Sequence, residues 1–196
     1  MPDPLLSIAT GLALSTAAGF NAYVPLLVTG FLSRTTDLIS LEAPFDRLEE
    51  PVVLAAIATV GLVDFVGDKV PAIDHVLHAI GLVVAPAAGA FLALGVASDS
   101  GIVPAVALVS GAVAAGATQG ARATVRPLST VTTGGMANPL LSLGEDGVSA
   151  TLSFTAIVVP IVALVLAVVV VVLSVVAIRR FRRAVRSRMG PATPTT

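Results

Sequence analysis

The amino-acid sequence predicts an all-α protein, a polytopic bundle of about five transmembrane helices. Hydrophobic residues make up 56% of the 196 residues, and the mean hydropathy is +0.98. Charged residues contribute only 12%, against about 25% in soluble domains. The apolar runs are continuous, as in Val158–Val176, whereas the strands of a membrane barrel alternate apolar and polar residues. Helices of bilayer length therefore fit the pattern.

The first span is predicted over Pro4–Leu32. At 1.5 Å per residue this run would be about 43 Å long, which exceeds a bilayer core of about 30 Å. It is interrupted by Gly19, Asn21 and Pro25, and a proline inside a helix removes a backbone hydrogen bond. We therefore expect a tilted, kinked or broken helix here. A signal peptide is not indicated, because Asp3 is the only charge before the run.

The next two spans follow an acidic loop at Ser33–Glu50. Span two is predicted over Pro51–Gly67, with proline at its first turn as helices prefer. Span three starts after the tight turn that precedes Pro71 and ends near Ala97.

The last two spans enclose a polar region. Span four is predicted over Ile102–Ala121, whose small residues let helices approach closely in lipid. We expect Arg122–Gly147 to be polar and irregular, with room for a re-entrant hairpin. Span five is predicted over Val148–Ile178 with a kink at Pro160, so residues 1–178 form one transmembrane domain.

The basic residues are concentrated after the last span. Residues 1–178 hold twelve acids and five bases, a net charge of −7. Residues 179–196 are predicted to be a disordered cytoplasmic tail, because positive residues mark the cytoplasmic side of a membrane protein. Five spans then place the N-terminus outside, in a multi-pass protein of the cell membrane. The tail arginines predicted to contact anionic lipid headgroups are Arg179, Arg180, Arg182, Arg183, Arg186 and Arg188.

Two segments form a weak internal repeat. Residues 17–30 read AAGFNAYVPLLVTG, and residues 118–131 read TQGARATVRPLSTV. Their spans are an odd number of crossings apart, so the copies would have opposite orientations. Such inverted repeats with broken helices occur in transporters.

The richest polar cluster lies around the turn between spans two and three. Asp64 and Asp68 are four residues apart and share a helix face, as do Asp74 and His78. With Lys69, they are candidates for a cation site, a proton relay or a carboxylate metal site. The competing interpretation is an interfacial cap, since Asp74 suits a helix N-terminus.

A second candidate site consists of Gln119, Arg122 and Arg126 on one helix face. Guanidinium groups bind phosphate and carboxylate oxygens in pairs, so the arginines fit an anion clamp. Ion pairing inside the bundle is the other interpretation. The carboxylates that could pair with these arginines are Asp64, Asp68, Glu145 and Asp146.

The first span adds Asn21, Tyr23 and Pro25 as candidates to line a pathway, because a helix break frees backbone groups that can coordinate a ligand. An interhelical hydrogen bond from Asn21 is the simpler alternative.

Asn138, Glu145 and Asp146 precede span five. The two acids are candidates for the site or for capping the N-terminus of that span.

Several of these residues together resemble a known family. The stretches AGFNAYVPLL, VDFVGDKVPAIDHVLHAI and GARATVRP, with the later Asn-Pro and Glu-Asp pairs, are similar to small bacterial integral membrane proteins grouped as domain of unknown function 4126. The similarity covers about residues 7–175. The family's Ser-Pro-Glu-Pro run is matched here by Pro127-Leu128-Ser129 without the glutamate. The resemblance implies a polar membrane site and supplies no activity.

Known catalytic motifs are missing from the sequence, and cysteine is absent. An enzyme is therefore the less favoured class, and the sequence does not determine a cofactor or a metal. The leading hypothesis is a small transporter or channel-like protein, which would self-associate because five helices enclose little space. The alternatives are a membrane enzyme acting on a lipid phosphate and a non-catalytic accessory subunit. Nucleic-acid binding is not expected for a basic segment this close to the bilayer.

Overall fold

The computed structural model describes the backbone of residues 3–67, 71–134 and 136–188. Over these residues the chain contains seven α-helices, one short 3-10 helix and no strand, so the all-α prediction is confirmed. The elements are α1 (Pro4–Phe20), α2 (Tyr23–Thr35), the 3-10 helix (Phe45–Glu49), α3 (Pro51–Gly67), α4 (Pro71–Ala97), α5 (Pro104–Thr133), α6 (Asn138–Val158) and α7 (Pro160–Arg188).

Helix α1 is the centre of the bundle and packs against α2, α4, α5, α6 and α7. It consists largely of small residues, and Ala13 and Leu14 are fully buried. Small side chains allow helix backbones to approach closely. A Cβ atom on Gly89 of α4 would lie 2.5 Å from the Cβ of Ala115 in α5 and 3.3 Å from the Cβ of Ser15 in α1. The three helices therefore meet at a crossing that depends on glycine.

The predicted first span, Pro4–Leu32, is two helices rather than one. Helix α1 ends at Phe20 and α2 starts at Tyr23, so the break lies at Asn21. The expected break is confirmed, but Pro25 does not cause it. Pro25 occupies the first turn of α2, where a backbone N–H has no intrahelical partner to lose.

Helix α2 runs back alongside α1 and forms a hairpin with it. Asp37 and Leu38, which follow α2, line one cavity with Asp3 and Ser7 at the start of α1. If α2 continued in the direction of α1, these residues would be more than about 40 Å apart. The segment is therefore a helical hairpin that turns at Asn21 and not a single crossing.

The later helices also alternate in direction. At the level of the hairpin turn, Tyr23 packs on Gly61 near the end of α3, and Gln119 of α5 packs on Gly81 near the start of α4. Pro160 lies at the opposite end, in the cavity that contains the start of α1. Helix α7 therefore starts far from the hairpin turn and runs back towards it.

Two predicted boundaries in the second half are wrong. Helix α5 extends to Thr133 and α6 starts at Asn138, so residues 122–147, which we expected to be irregular, are mostly helical. The predicted span Val148–Ile178 is divided at Pro160 between α6 and α7, which are antiparallel. Proline has no N–H to donate and clashes with the preceding turn, so it starts a helix more readily than it continues one.

Two further predictions change in detail. Residues 118–131, the second copy of the proposed repeat, lie within the continuous helix α5, so the break is present in the first copy and not in the second. Helix α7 continues through residues 179–188, so this part of the tail is helical rather than disordered. Residues 189–196 lie outside the described residues, and the domain boundary at 178 stays a prediction.

Several hydroxyl side chains are buried, and many large apolar side chains are exposed. Ser142, Ser149 and Ser153 are fully buried, whereas Val52 is 78% exposed and Val83 is 72% exposed. By length and composition, one described helix segment, residues 79–97, is long and apolar enough to cross a membrane. The apolar helix segments Pro4–Phe20, Pro51–Gly67 and Pro160–Leu173 are shorter. The five-span count therefore stays a prediction.

The crossing at Gly89 gives a test of the fold. We expect Gly89→Ala to lower the free energy of unfolding by about 1–3 kcal/mol, because the added methyl group overpacks three helices. The matched control is Gly120→Ala in α5, where a Cβ atom meets nothing within 4 Å. Unfolding of both variants in detergent micelles, followed by circular dichroism, makes the comparison. Equal stability of the two variants would contradict the close crossing.

Candidate functional site

The side chain of Asn21 holds the hairpin turn together. Its Oδ1 accepts hydrogen bonds from the backbone N–H groups of Tyr23 (2.9 Å) and Val24 (3.2 Å), which start α2. The hydroxyl of Ser149 in α6 donates to the carbonyl oxygens of Ala17 (3.0 Å) and Asn21 (3.2 Å) at the end of α1. Backbone groups freed by the break thus find partners inside the bundle, as a buried helix end requires.

The same asparagine anchors a carboxylate in the bundle. Asn21 Nδ2 donates to Asp146 Oδ1 at 2.8 Å. The other oxygen, Asp146 Oδ2, is buried and has no hydrogen-bond partner. Burial of a polar atom without a partner is unfavourable, so Asp146 Oδ2 is an acceptor oxygen that a ligand could contact.

A buried ion pair lies next to this carboxylate in sequence. Arg122 Nε of α5 is 2.6 Å from Glu145 Oε2 of α6, and their side chains are only 9% and 13% exposed. The ion-pairing interpretation of Arg122 is therefore confirmed, with Glu145 as a partner. The prediction that Glu145 and Asp146 cap a helix is wrong, because α6 starts two turns earlier, at Asn138.

A small cavity lies on the other side of the hairpin turn. Its volume is about 20 Å³, which is enough for one water-sized molecule. The polar residues that line it are Tyr23, Asp64, Gln119 and Arg122. The apolar part of the lining is Ala18, Ala22, Leu77, Gly81, Val84 and Ala85. The end of α1 and parts of four other helices thus enclose one polar space.

The structure brings together most of the candidates whose side chains it describes. The set around the hairpin turn is Asn21, Tyr23, Asp64, Gln119, Arg122, Glu145 and Asp146. Pro25 is buried in α2 beside this set, and Asn138 lies two turns from Glu145 at the start of α6. Their roles stay predictions.

Other candidates fall outside what is described. Asp68 and Lys69 lie outside the described residues, and the side chains of Asp74, His78 and Arg126 do as well. Among the described residues, no group of three or more histidine, aspartate or glutamate side chains is placed to hold a metal ion.

Sequence reasoning missed Ser149. The signal was present, because Ser142, Asp146, Ser149 and Ser153 are spaced three or four residues apart and share one face of a helix. The wrong start predicted for this helix hides the face, because it places Asp146 before span five and Ser149 at the start of that span. The serines on this face are fully buried.

Comparisons with known proteins add one finding. A family model described as Domain of unknown function (DUF4126) matches residues 8–180, which confirms the resemblance seen in the sequence. No curated protein and no solved structure matches the chain.

The Arg122–Glu145 pair can be tested by a double-mutant cycle. Arg122→Gln leaves the carboxylate of Glu145 buried without this partner, and breaking a buried ion pair costs about 3–5 kcal/mol. We expect Arg122→Gln with Glu145→Gln to recover most of that loss, because both charges are then removed. The readout is the free energy of unfolding in detergent micelles, with Arg34→Gln as the exposed control, unchanged within about 0.5 kcal/mol. Additive losses in the double variant would show that the two side chains are not coupled.

Proposed function

The chain belongs to the DUF4126 family, and we propose from its geometry that it is a small transporter or channel-like membrane protein that binds a small cation or a proton at the hairpin turn. The observation that carries this proposal is the buried, unpartnered Oδ2 of Asp146 beside the helix break at Asn21. Discontinuous helices form the ion sites of many transporters, where backbone groups freed by the break coordinate the ion.

The surface of the bundle supports a membrane setting. Large exposed apolar side chains cover α3 and α7, including Val60, Leu62, Val165, Val169 and Leu173. Soluble monomers rarely expose contiguous apolar patches larger than a few hundred Å². In lipid this surface is matched to its surroundings, and the polar residues belong in the interior.

The distribution of basic residues supports an orientation. Arg34 and Arg47 lie in the loop at the end of the bundle away from the hairpin turn. Helix α7 carries its arginines at the opposite end, in residues 179–188. The positive-inside rule then places the end of α7 in the cytoplasm and the start of α1 outside. This basic end of α7 is suited to contact anionic lipids.

The level of the site along the bundle follows from helix lengths. Pro160 and Ser7 share the outer cavity, and Asn21 is fourteen residues beyond Ser7 in the sequence. Fourteen residues along α7 from Pro160 lead to about residue 174. This level is roughly 7 Å along the helix axis from Arg179. We therefore place the site near the cytoplasmic face of the membrane and not at its midplane.

The charges of the site favour a cation over an anion. Among the side chains that the structure describes around the turn, Asp64, Glu145 and Asp146 are acidic, and Arg122 is basic. Arg122 is already paired with Glu145, so a phosphate clamp would have to break that pair. The cavity of about 20 Å³ is also too small for a phosphate group. The lipid-phosphate enzyme is therefore the weaker alternative.

A labelling experiment tests the membrane setting and access to the site. The chain has no cysteine, so single cysteines at Asp64 and Arg122 can be probed with silver ions, a thiol reagent small enough for a cavity of about 20 Å³. We expect labelling in inside-out vesicles and not in intact cells, because the site lies near the cytoplasmic face. Asp46→Cys in the outer loop should label in intact cells, and the fully buried Ala13→Cys should not label from either side.

The alternatives predict different labelling. Protection of both site cysteines in a folded protein would support a sealed ion-pair lattice and an accessory role. Labelling of Asp46→Cys and Arg183→Cys from the same side would refute the proposed arrangement of the helices.

Ion movement is tested in proteoliposomes. We expect the protein to allow proton or monovalent-cation flux under an imposed membrane potential, and Asp146→Asn to lower the rate at least tenfold. The probes are an internal pH-sensitive dye and radioactive sodium and rubidium. The matched control is Glu42→Gln in the exposed outer loop, which should leave the rate unchanged. No flux above that of empty liposomes with any of these ions would refute the proposed transport.

A further inference from the structure

A larger cavity lies at the end of the bundle away from the hairpin turn. Its volume is about 380 Å³, within the range of about 300–1,000 Å³ that is usual for small-molecule sites. The start of α1, the segment after α2, the last turns of α4 and α6, and Pro160 at the start of α7 enclose it. We call this space the outer cavity. None of the residues that line it belongs to the site at the hairpin turn.

The wall of the outer cavity is largely apolar. Ile157 is only 6% exposed, so its side chain lies deep in the bundle. The apolar side chains of the lining are Leu6, Leu38, Ile39, Val96, Ile157 and Pro160. A ligand with an apolar body would cover this wall and remove it from water, which is favourable in proportion to the area buried.

Two carboxylates give the mouth of the outer cavity a negative charge. Asp37 and Asp3 both line the cavity and are exposed. Asp3 Oδ1 accepts a hydrogen bond of 2.9 Å from the backbone N–H of Leu5 and so caps α1. Within the part of the chain that the structure describes, the carboxylate of Asp37 makes no hydrogen bond and no ion pair. Asp37 is therefore available to a ligand.

The surroundings of Asp37 reinforce its charge. The residue follows the C-terminal end of α2, where the backbone carbonyl groups favour a cation. Arg34 in the last turn of α2 is directed elsewhere, because its Nη1 donates to the carbonyl oxygen of Glu49 at 3.0 Å. The described lining contains no basic side chain. The mouth of the cavity therefore attracts a positive charge.

Ser7 provides a buried polar group against the outer cavity. The residue is only 5% exposed and belongs to the lining. The hydroxyl of Thr10, one turn further on, donates to the carbonyl oxygen of Ala156 at 3.1 Å. Among the residues that the structure describes, the Ser7 hydroxyl has no such partner. A buried hydroxyl without a hydrogen bond is unfavourable, and a polar group of a ligand would satisfy it.

These three features together fit a protonated amine on an apolar body. Ammonium N–H groups donate to carboxylate and hydroxyl oxygens, and the apolar wall covers the rest of the molecule. A quaternary ammonium ion has no N–H group to donate, and its usual aromatic cage is absent from the described lining. A phospholipid headgroup would bring a phosphate towards two carboxylates. A bare metal ion would leave the apolar wall uncovered.

We propose that the outer cavity binds a lipophilic monoamine in its protonated form, with Asp37 as the counter-ion and the Ser7 hydroxyl as a hydrogen-bond partner. The proposal goes beyond the transport function proposed above and does not rest on it. It adds a second binding site, at the other end of the bundle.

The test compares two molecules that differ in charge and share one apolar cage. Adamantylamine is protonated at neutral pH, whereas adamantanol is neutral. We expect adamantylamine to raise the unfolding midpoint of the full-length protein in detergent in a saturable way, by about 5–10 °C at a hundred times its Kd. Adamantanol should bind at least tenfold more weakly, because it lacks the charge. Equal affinity for the two, or no saturable shift with the amine, would overturn the proposal.

Two variants locate the amine. Asp37→Asn should weaken its binding at least tenfold. The matched control is Glu42→Gln, which removes an exposed acid of the same loop outside the lining and should leave binding unchanged. Ser7→Ala should weaken binding at least threefold, with an unchanged midpoint in the absence of amine, because no hydrogen bond within the protein is lost. Unchanged amine binding in Asp37→Asn would overturn the proposal.

A third variant separates the outer cavity from the hairpin turn. Asp146→Asn should keep the shift, since Asp146 does not line the outer cavity. A shift that survives Asp37→Asn and is lost in Asp146→Asn would place the amine at the hairpin turn and overturn the proposal. The absence of ion flux in proteoliposomes would refute the transport function and leave the amine site standing.

Discussion

The helix break at Asn21 is the constraint on which the polar interior of this protein depends. A break inside the bundle leaves carbonyl groups at the end of α1 and N–H groups at the start of α2 without helical partners, and buried backbone groups need other partners. One asparagine side chain accepts from the N–H groups, and one serine hydroxyl from α6 donates to the carbonyls. Without these partners the hairpin turn would have to move to the surface of the bundle.

The polar side chains around the hairpin turn depend on one another. The amide of Asn21 has a second hydrogen-bonding end, and Asp146 accepts from it. The burial of Asp146 brings Glu145, its neighbour in sequence, into the same interior, where a second unpaired carboxylate would be costly. Arg122 provides the compensating charge from α5. The hydrogen bonds of Asn21 and the Arg122–Glu145 ion pair therefore form one connected polar site. Among the side chains described there, acidic groups outnumber basic groups.

The apolar packing complements this polar set. Small residues in α1, α4 and α5 allow a close crossing at Gly89, whereas large valine side chains of α3 and α7 are exposed on the surface. Because α1 is buried on all sides by close contacts, the hairpin turn at its end is held in a defined position.

Sequence reasoning located the break and most of the site but not the helices that present it. The interruption near Asn21 was predictable because an asparagine and a proline stand in an overlong apolar run. Pairing between Arg122 and Glu145 was among the expected options, since a buried arginine needs a carboxylate. The extension of α5 to Thr133 and the start of α6 at Asn138 were missed. Hydropathy marks where a chain is apolar, whereas these polar segments are helical because they pack on each other and on α1.

The sequence by itself determined that the chain is helical, that its interior must hold charges and that the first apolar run must be interrupted. These properties follow from composition and from the backbone chemistry of single residues. Only the tertiary structure decided that the interrupted run folds back as a hairpin, and that Gln119 is left beside a cavity without a partner for its amide nitrogen. Both features depend on which helices are neighbours, because neighbouring helices set the direction in which α2 runs and the partners that a buried amide can find.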